Sequence, residues 1–576
     1  MQVAVTLLML WVAGGAAACC ASLPSVPSSL DSCGGSRITG APFATRSPVL
    51  SQRGQVASAH PLASQAGLDI LKAGGSAVDA AIATNAVLGV LEPMMNGLGG
   101  DLMAIVQWGG ETIGYNGAGR SSASFSFSDM ASALQAQGLQ YIPFLGPHSV
   151  TVPGAPRGWC DLHARYGKLL LADVLAPAVY YARNGAPVPQ VIAAEWSRLP
   201  NGSDITSGGR FPGALSGWTS TFASPLPREG DLFKNTALGD TLEQLGQGGC
   251  DAFYKDGPIL EALLRLTGTA GLHLTAADFA LHAGEWVTPI NTTFAGATVF
   301  ELPPNPQGAA ALEMLNILEL YNFTLADFNS PAYLHAHVEA KKLAFADASA
   351  FFADPAFATI PLEGIISKPY AATQKQRINP SQAAKTDAPG VPPQGTTSSA
   401  AALEQQYGGD TTYLSVADAE GNMISLIQSL YTGFGSGLVA PELGFALQCR
   451  GALFSMEQGH PNVYAPGKRP FHTIMPGLAH TGGGGVGLWC DGGLYAAPGA
   501  RAGAVQPPGA WHERSGGWGC GAILPQRQLP AHGAENGGWG PSPARGRHLQ
   551  CHHGGPQGKR PRRGGWCKYG GVSKHT

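Results

Sequence analysis

The sequence predicts a mixed α+β protein, on three observations. Thr411 to Val416 and Met423 to Leu430 are alternating runs joined by Asp418-Ala419-Glu420-Gly421-Asn422, the pattern of a β-hairpin. Ala77 to Val90 is almost wholly apolar, as expected of a helix buried on most sides. Pro331 to Phe351 reads as a long helix with Lys341 and Lys342 on its solvent face. At 576 residues the chain has ample length for a large core, and a net charge of -3 points away from a polyanionic partner.

Taken in order, Met1 to Ala21 carries an apolar run, Val5 to Ala13, followed by small residues at Ala16-Ala17-Ala18. This has the form of a secretory signal, although no Lys or Arg precedes the run. A membrane anchor and an organelle transit peptide are the alternatives, and a secretory or vacuolar destination is favoured. Sequons at Asn201, Asn291 and Asn322 permit glycosylation on that route. Pro61 to Ala73 reads as a helix opened by proline and closed by Gly74-Gly75. Residues 384–409 are rich in Pro, Gly, Ser, Thr and Ala, a composition that suits a flexible segment. The organisation is therefore a leader over 1–36, a body over 37–410, a second portion over 411–479 and an atypical tail over 480–576.

Thr411 opens the first hairpin strand directly after the flexible segment. Breakage of the Asp410–Thr411 bond makes it an N-terminus. Its hydroxyl is then a nucleophile, and its own α-amine, with a reference pKa of about 7.7–8, is a base near neutrality. An ordinary strand start accounts for Asp-Thr-Thr equally well in isolation, since Thr and Tyr favour strands. The hairpin runs into Tyr431-Thr432-Gly433-Phe434-Gly435-Ser436-Gly437, a glycine loop that lets backbone approach a ligand.

These features resemble the γ-glutamyltransferase family. The hairpin and Pro461-Asn462-Val463-Tyr464-Ala465-Pro466-Gly467-Lys468-Arg469-Pro470 are similar to the family's small subunit. Val56 to Ser64, Gly74 to Ala81, Glu92-Pro93 with Asn96 to Gly100, Val152-Pro153-Gly154, Leu302-Pro303-Pro304 and Glu339 to Asp347 are similar to its large subunit, colinearly over about 54–479. The resemblance implies a four-layer αββα sandwich of the N-terminal-nucleophile hydrolase type, made of two subunits cut from one precursor. It implies a γ-glutamyltransferase or glutathione hydrolase that passes a γ-glutamyl group to water or an amine, with hydrolysis of another small acyl amide as the alternative, no cofactor and no metal, and a homo-oligomer possible.

Residue by residue, the resemblance makes Thr411 the nucleophile and Asp410–Thr411 the cleavage site. Thr412 becomes the second threonine of the pair, and Ser429 a hydroxyl able to bond the nucleophile's oxygen. Tyr431, Arg450, His472, Thr473 and Arg120 become substrate contacts. Departures from the pattern bear on the substrate. Leu453 stands where glutamyl-specific members have an Asp that holds the α-amine, Arg450 replaces a neighbouring amide side chain, and Arg120 is offset from the carboxylate-binding arginine. This resembles the acylase-like branch.

Cys160, Cys250 and Cys449 are the only cysteines of the body and are far apart in sequence, so they read as buried or inert thiols. Beyond about 480, strand alternation and acids give way to Gly, Arg, Trp, His and Pro. A basic, aromatic tail of this kind is one route to nucleic-acid binding. An out-of-frame translation explains it better: codons for Leu488 to Tyr495, read one nucleotide later, can spell Phe-Gly-Val-Met-Gly-Gly-Tyr-Met. Those for Ala496 to Ala504 can continue as Gln-Pro-Gln-Gly-His-Val-Gln-Val-Leu. That string resembles the family's next block, whose Gly-Gly pair supplies oxyanion donors. An amide-bond enzyme is thus the leading reading; an inactive relative and a nucleic-acid binder are the alternatives.

Overall fold

The computed structural model describes residues 51–198, 215–324, 327, 330–385, 387–393, 410–481 and 486–492. The leader, the Asn201 sequon, the 394–409 stretch and residues 493–576 lie outside them. The elements that frame the site are β1 (Gly54–Ser58), α1 (Pro61–Lys72), α2 (Ala77–Leu91), β2 (Asp101–Trp108), β3 (Glu111–Asn116) and α3 (Ala155–Tyr166). They continue with β4 (Glu285–Val287), β5 (Ile290–Phe294), β6 (Ala297–Glu301), α4 (Gly308–Glu319), α5 (Pro331–Phe351), β7 (Asp410–Asp418), β8 (Met423–Tyr431), β9 (Ile474–Thr481) and β10 (Val486–Gly492).

Two sheets result. One has strand order β1-β7-β8-β2-β3-β4, the other β10-β9-β6-β5. The strand carrying Thr411 is therefore interior to its sheet, paired with β8 along its length and with β1 from Leu414 to Asp418. Side chains on opposite faces of β7 and β8 enter different cores, as period-two alternation requires. Leu414, Val416, Ile424 and Leu426 pack with Val78, Ile82 and Val87 of α2. Tyr413, Met423 and Ile427 pack with Leu302, Ile474 and Leu478, between the two sheets. Val299 of β6 and Ala479 of β9 face Leu312 and Leu315 of α4 and Leu343 of α5. The elements thus stack as helices, sheet, sheet, helices.

Helix α2 shows why its sequence lacks an amphipathic stripe: every residue from Ala77 to Leu91 is buried. Its start is fixed by a capping box, in which Asp79 N donates to Ser76 Oγ at 3.1 Å and Ser76 N donates to Asp79 Oδ2 at 2.9 Å. Helix α5 has the bounds read from the sequence, but Lys341 and Lys342 are half-buried. Lys341 lies over the Phe345 ring, and Lys342 donates to Ala384 O at 2.6 Å and pairs with Glu339. The long aliphatic stem of lysine allows this while its ammonium keeps polar partners.

Two expectations are corrected. Cys160 of α3 and Cys250 form a disulfide, with Cα atoms 6.0 Å apart, so they are not separate thiols; of the three body cysteines, Cys449 is free and buried. The sequence separation of 90 hid the pairing, since tertiary packing alone brings the two together. Closing a loop of that length removes denatured-state entropy worth up to about 5 kcal/mol. Reduction, or Cys160→Ser, should therefore lower the thermal unfolding midpoint by several degrees; an unchanged midpoint on a scan with and without reductant would show that the bond contributes nothing. The second correction concerns residues past 480. Val486–Gly492 forms strand β10, paired with β9 from Ile474↔Gly492 to His480↔Val486.

Candidate active site

The site is assembled at the C-terminal end of β8. Gln428 pairs with Thr412 and Tyr431 with Asp410, so β8 advances three residues while β7 advances two. Such a bulge re-aims the side chains around it. It leaves Ser429 Oγ 3.1 Å from Thr411 Oγ1. Tyr431 closes the bulge with φ 83°, a left-handed conformation costly for a bulky residue, and its N–H donates to Ser429 Oγ at 2.8 Å. Thr411 is half-buried, whereas Ser429 is fully enclosed. Thr412 is buried as well, and its hydroxyl donates to Gln428 O at 3.4 Å.

Arg450 enters from the turn Arg450–Leu453 and has no solvent exposure. Its Nη2 donates to Ser429 Oγ at 3.1 Å and its Nη1 to Thr473 Oγ1 at 2.8 Å. The guanidinium carbon lies 4.4 Å from the centre of the Tyr431 ring, a cation–π contact. Burial pulls the Arg450 pKa down to about 10 and pushes the Tyr431 hydroxyl up. Leu453, two per cent exposed, joins the apolar cluster that contains Tyr431 and Phe471.

His472 is buried beside this group. Its Nε2 lies 3.1 Å from Asp101 Oδ2, and its Nδ1 accepts from Ile474 N at 3.4 Å. That pair of contacts fits a neutral ring carrying its proton on Nε2. Burial and the Arg450 cation lower its pKa to about 4, so the ring is uncharged at neutral pH. It ties the start of β9 to the first sheet, and among the described residues it makes no bond to Thr411. The segment before it is pinned from β6: His472 N donates to Asn305 O at 3.0 Å, and Asn305 Nδ2 donates to Pro470 O at 2.8 Å.

Asp101 is the residue the sequence reading missed. It opens β2 directly opposite Ser429 and is wholly buried. Its Oδ1 accepts from Gly119 N at 2.9 Å, Gly154 N at 3.1 Å and Gln448 Nε2 at 2.9 Å, while Oδ2 faces His472. A Cβ on Gly119 would collide with Val152 O, and one on Gly154 with Gly117 O, so glycine is required for this approach. The available signal was an acid at the head of an apolar strand, immediately after Gly99-Gly100. Arg120 is placed elsewhere. It is paired with Asp354 at 2.9 Å and donates to Gly467 O at 3.1 Å, which commits it to the loop before His472 and not to the Thr411 group.

The arrangement provides a half-buried hydroxyl at Thr411, a second hydroxyl against it, a buried cation one step behind and an apolar wall at Leu453. No group of three or more His, Cys, Asp or Glu able to hold a metal occurs among the described residues. The gamma-glutamyltranspeptidase family model matches residues 63–493. The glutathione hydrolase-like YwrD proenzyme of Bacillus subtilis is 38% identical over 439 residues, covering 76% of this chain and 78% of that protein. The oxamate amidohydrolase proenzyme of Klebsiella pneumoniae is 33% identical over 446 residues, with 76% and 78% covered. The crystal structure of cephalosporin acylase from Bacillus halodurans aligns with a TM-score of 0.71 and 36% identity, over 84% of this chain and 83% of that one.

Proposed function

Because this chain belongs to the gamma-glutamyltranspeptidase family of N-terminal-nucleophile hydrolases, we propose that Thr411 is its nucleophile and that scission of the Asp410–Thr411 bond creates it. The observation that carries this reading is the 3.1 Å approach of Ser429 Oγ to Thr411 Oγ1 across the bulge. In self-cleavage Thr411 Oγ1 adds to the Asp410 carbonyl, the C–N bond breaks with the proton passing to the amide nitrogen, and water hydrolyses the resulting ester. The freed α-amine then serves as base. It takes the Thr411 proton as Oγ1 attacks a small acyl amide, returns it to the departing amine, and activates the water or acceptor amine that releases the acyl group.

The acyl group favoured by the site lacks an ammonium. Arg450 places a positive charge behind Ser429, and Leu453 offers an apolar surface where an amine-holding acid would be needed. An ammonium there would be desolvated without a carboxylate partner, a cost of several kcal/mol. γ-Glutamyl transfer and glutathione hydrolysis form the second reading, favoured by the name of the Bacillus subtilis relative. Steady-state kinetics comparing glutathione with a glutaryl amide of the same length separates the two. The glutaryl amide should have the higher kcat/KM, and Leu453→Asp should move the ratio toward glutathione. A clear preference for glutathione that Leu453→Asp leaves untouched would place the amine against another residue.

A secretory or vacuolar setting is part of the proposal. The Cys160–Cys250 disulfide suits an oxidising compartment, and Asn291 and Asn322 of two sequons are exposed. Among the described residues no helix is long and apolar enough to cross a membrane. The tail from about residue 480 is proposed to be an out-of-frame translation, although the family match runs on to residue 493. An inactive product follows only if that tail is the one made.

A further inference from the structure

Asp101 lies at the root of three groups that stand around the Thr411 hydroxyl. Its backbone faces Ser429 across the β2–β8 ladder, and a Cβ on Gly100 would collide with Ser429 O. The start of β2 therefore lies hard against the residue that bonds Thr411. Asp101 Oδ1 holds Gln448 Nε2 at 2.9 Å, just before Arg450 in the chain, and Gln448 N donates to Gly99 O at 2.9 Å. Asp101 Oδ2 faces His472 Nε2 at 3.1 Å, directly before Thr473. Arg450 in turn donates to Thr473 Oγ1 and to Ser429 Oγ. One carboxylate thus pins both chain segments that meet in the Arg450–Thr473 bond, while Gly119 N and Gly154 N fix the carboxylate itself. Burial works against the Arg450 cation, and the charge of Asp101 is among the forces that favour it.

We propose that Asp101 is a positioning residue for the Thr411 reaction: by holding Gln448 and the Nε2–H form of His472 it places Arg450 and Thr473, and through them the Ser429 hydroxyl, against Thr411. This rests on the reading of Thr411 as nucleophile. The carboxylate is needed as such, because an ionised carboxylate only accepts hydrogen bonds. It keeps the proton of the neutral ring on Nε2 and leaves Nδ1 free to accept from Ile474 N at 3.4 Å, at the first residue of β9. An asparagine would keep the bonds to Oδ1 and turn an N–H toward His472. If the ring proton stays on Nε2, two donors face each other there. If it moves to Nδ1, it meets the Ile474 N–H instead. Either way a buried donor is left unmade, and the segment that carries Thr473 loosens. Asp101 makes no bond to Thr411 among the described residues, so its effect falls on the rate of reaction and not on substrate affinity.

Two measurements on the cleaved enzyme test this. In the first, kcat and KM are determined on whichever of glutathione and the glutaryl amide the parent turns over faster. Asp101→Asn should lower kcat about 10- to 100-fold with KM little changed, as expected when a buried donor loses its acceptor. His472→Gln alone should cost only a few-fold, because its amide N–H still reaches Asp101 Oδ2. Placed on top of Asp101→Asn, the same glutamine can turn its carbonyl to the asparagine N–H, so the double variant should be faster than Asp101→Asn. Independent structural damage would add instead and make the double variant the slowest. Gln448→Met, which leaves the carboxylate and the ring in place, should lower kcat several-fold and serves if Asp101→Asn does not fold. In the second measurement, nitrogen NMR of the histidine-labelled enzyme, with His472→Gln to identify the signal, should place the ring proton on Nε2 in the parent. That form should be lost, in part or whole, in Asp101→Asn. A parent ring protonated on Nδ1, a kcat unchanged in Asp101→Asn or Gln448→Met, or a double variant slower than both singles would overturn this proposal alone. A parent that turns over neither amide, with the ring proton on Nε2 as expected, would defeat the reading of Thr411 and the positioning role with it.

Discussion

Replacing Thr411 with alanine is expected to leave the chain in one piece and without amidase activity. Both losses have one cause. The methyl group of alanine cannot add to the Asp410 carbonyl, so the peptide bond stays closed and no free α-amine appears beside the site. Nucleophile deletions in comparable enzymes cost on the order of 10⁴–10⁶ in kcat. Here the loss also includes the base, because the nucleophile and its base belong to one residue. Denaturing gel electrophoresis should show two fragments for the parent enzyme and one for Thr411→Ala, with hydrolysis of every acyl amide reduced to background. The fold should survive, since Thr411 is half-buried and its side chain bonds only Ser429 among the described residues. Two fragments from the alanine variant would show that another residue or a protease makes the cut.

Restoring the alternative reading frame after about residue 480 is expected to have the second large effect. The four-stranded sheet ends on β10, which pairs with β9 alone among the described residues. An edge strand of that kind exposes unpaired N–H and C=O groups and invites aggregation. The alternative frame rewrites β10 from Leu488 onward and brings a Gly-Gly pair whose N–H groups can stabilise the oxyanion. One such donor is typically worth about 10²–10³ in rate. Expression of both versions should give soluble, cut protein from the restored frame, and misfolded or uncut protein from the chain as written. Transcripts that confirm the written frame, together with normal cutting of that protein, would contradict the frameshift reading.

The parts of the fold that follow from local pattern were readable from the sequence. The hairpin was legible because alternation, a turn rich in Asp, Gly and Asn, and a preceding stretch rich in Pro, Gly, Ser, Thr and Ala all agree. Helix α2 was legible through its almost wholly apolar run and α5 through its length. What escaped depends on residues distant in sequence. Cys160 and Cys250 meet only once α3 is packed. Asp101 gains meaning from Gly119, Gly154, Gln448 and His472, which arrive from four later segments. Arg450 was singled out as a substitution within a recognised pattern, but its unpartnered Nε appears only when Ser429, Tyr431 and Thr473 surround it. Arg120 illustrates the converse: read from the sequence as a substrate contact, it is held instead by Asp354 and Gly467 O, partners distant in sequence. Strand β10 was missed because composition changes within it, so its pattern weakens before the strand ends.

The central claim is that Thr411 becomes the N-terminus and carries the acyl group. Mass spectrometry of the enzyme quenched in acid during turnover of a slow acyl amide tests it most directly. The account predicts a small fragment beginning at Thr411, with the acyl mass added to that residue as an ester. A fragment beginning elsewhere, or the added mass on any other side chain, would contradict it.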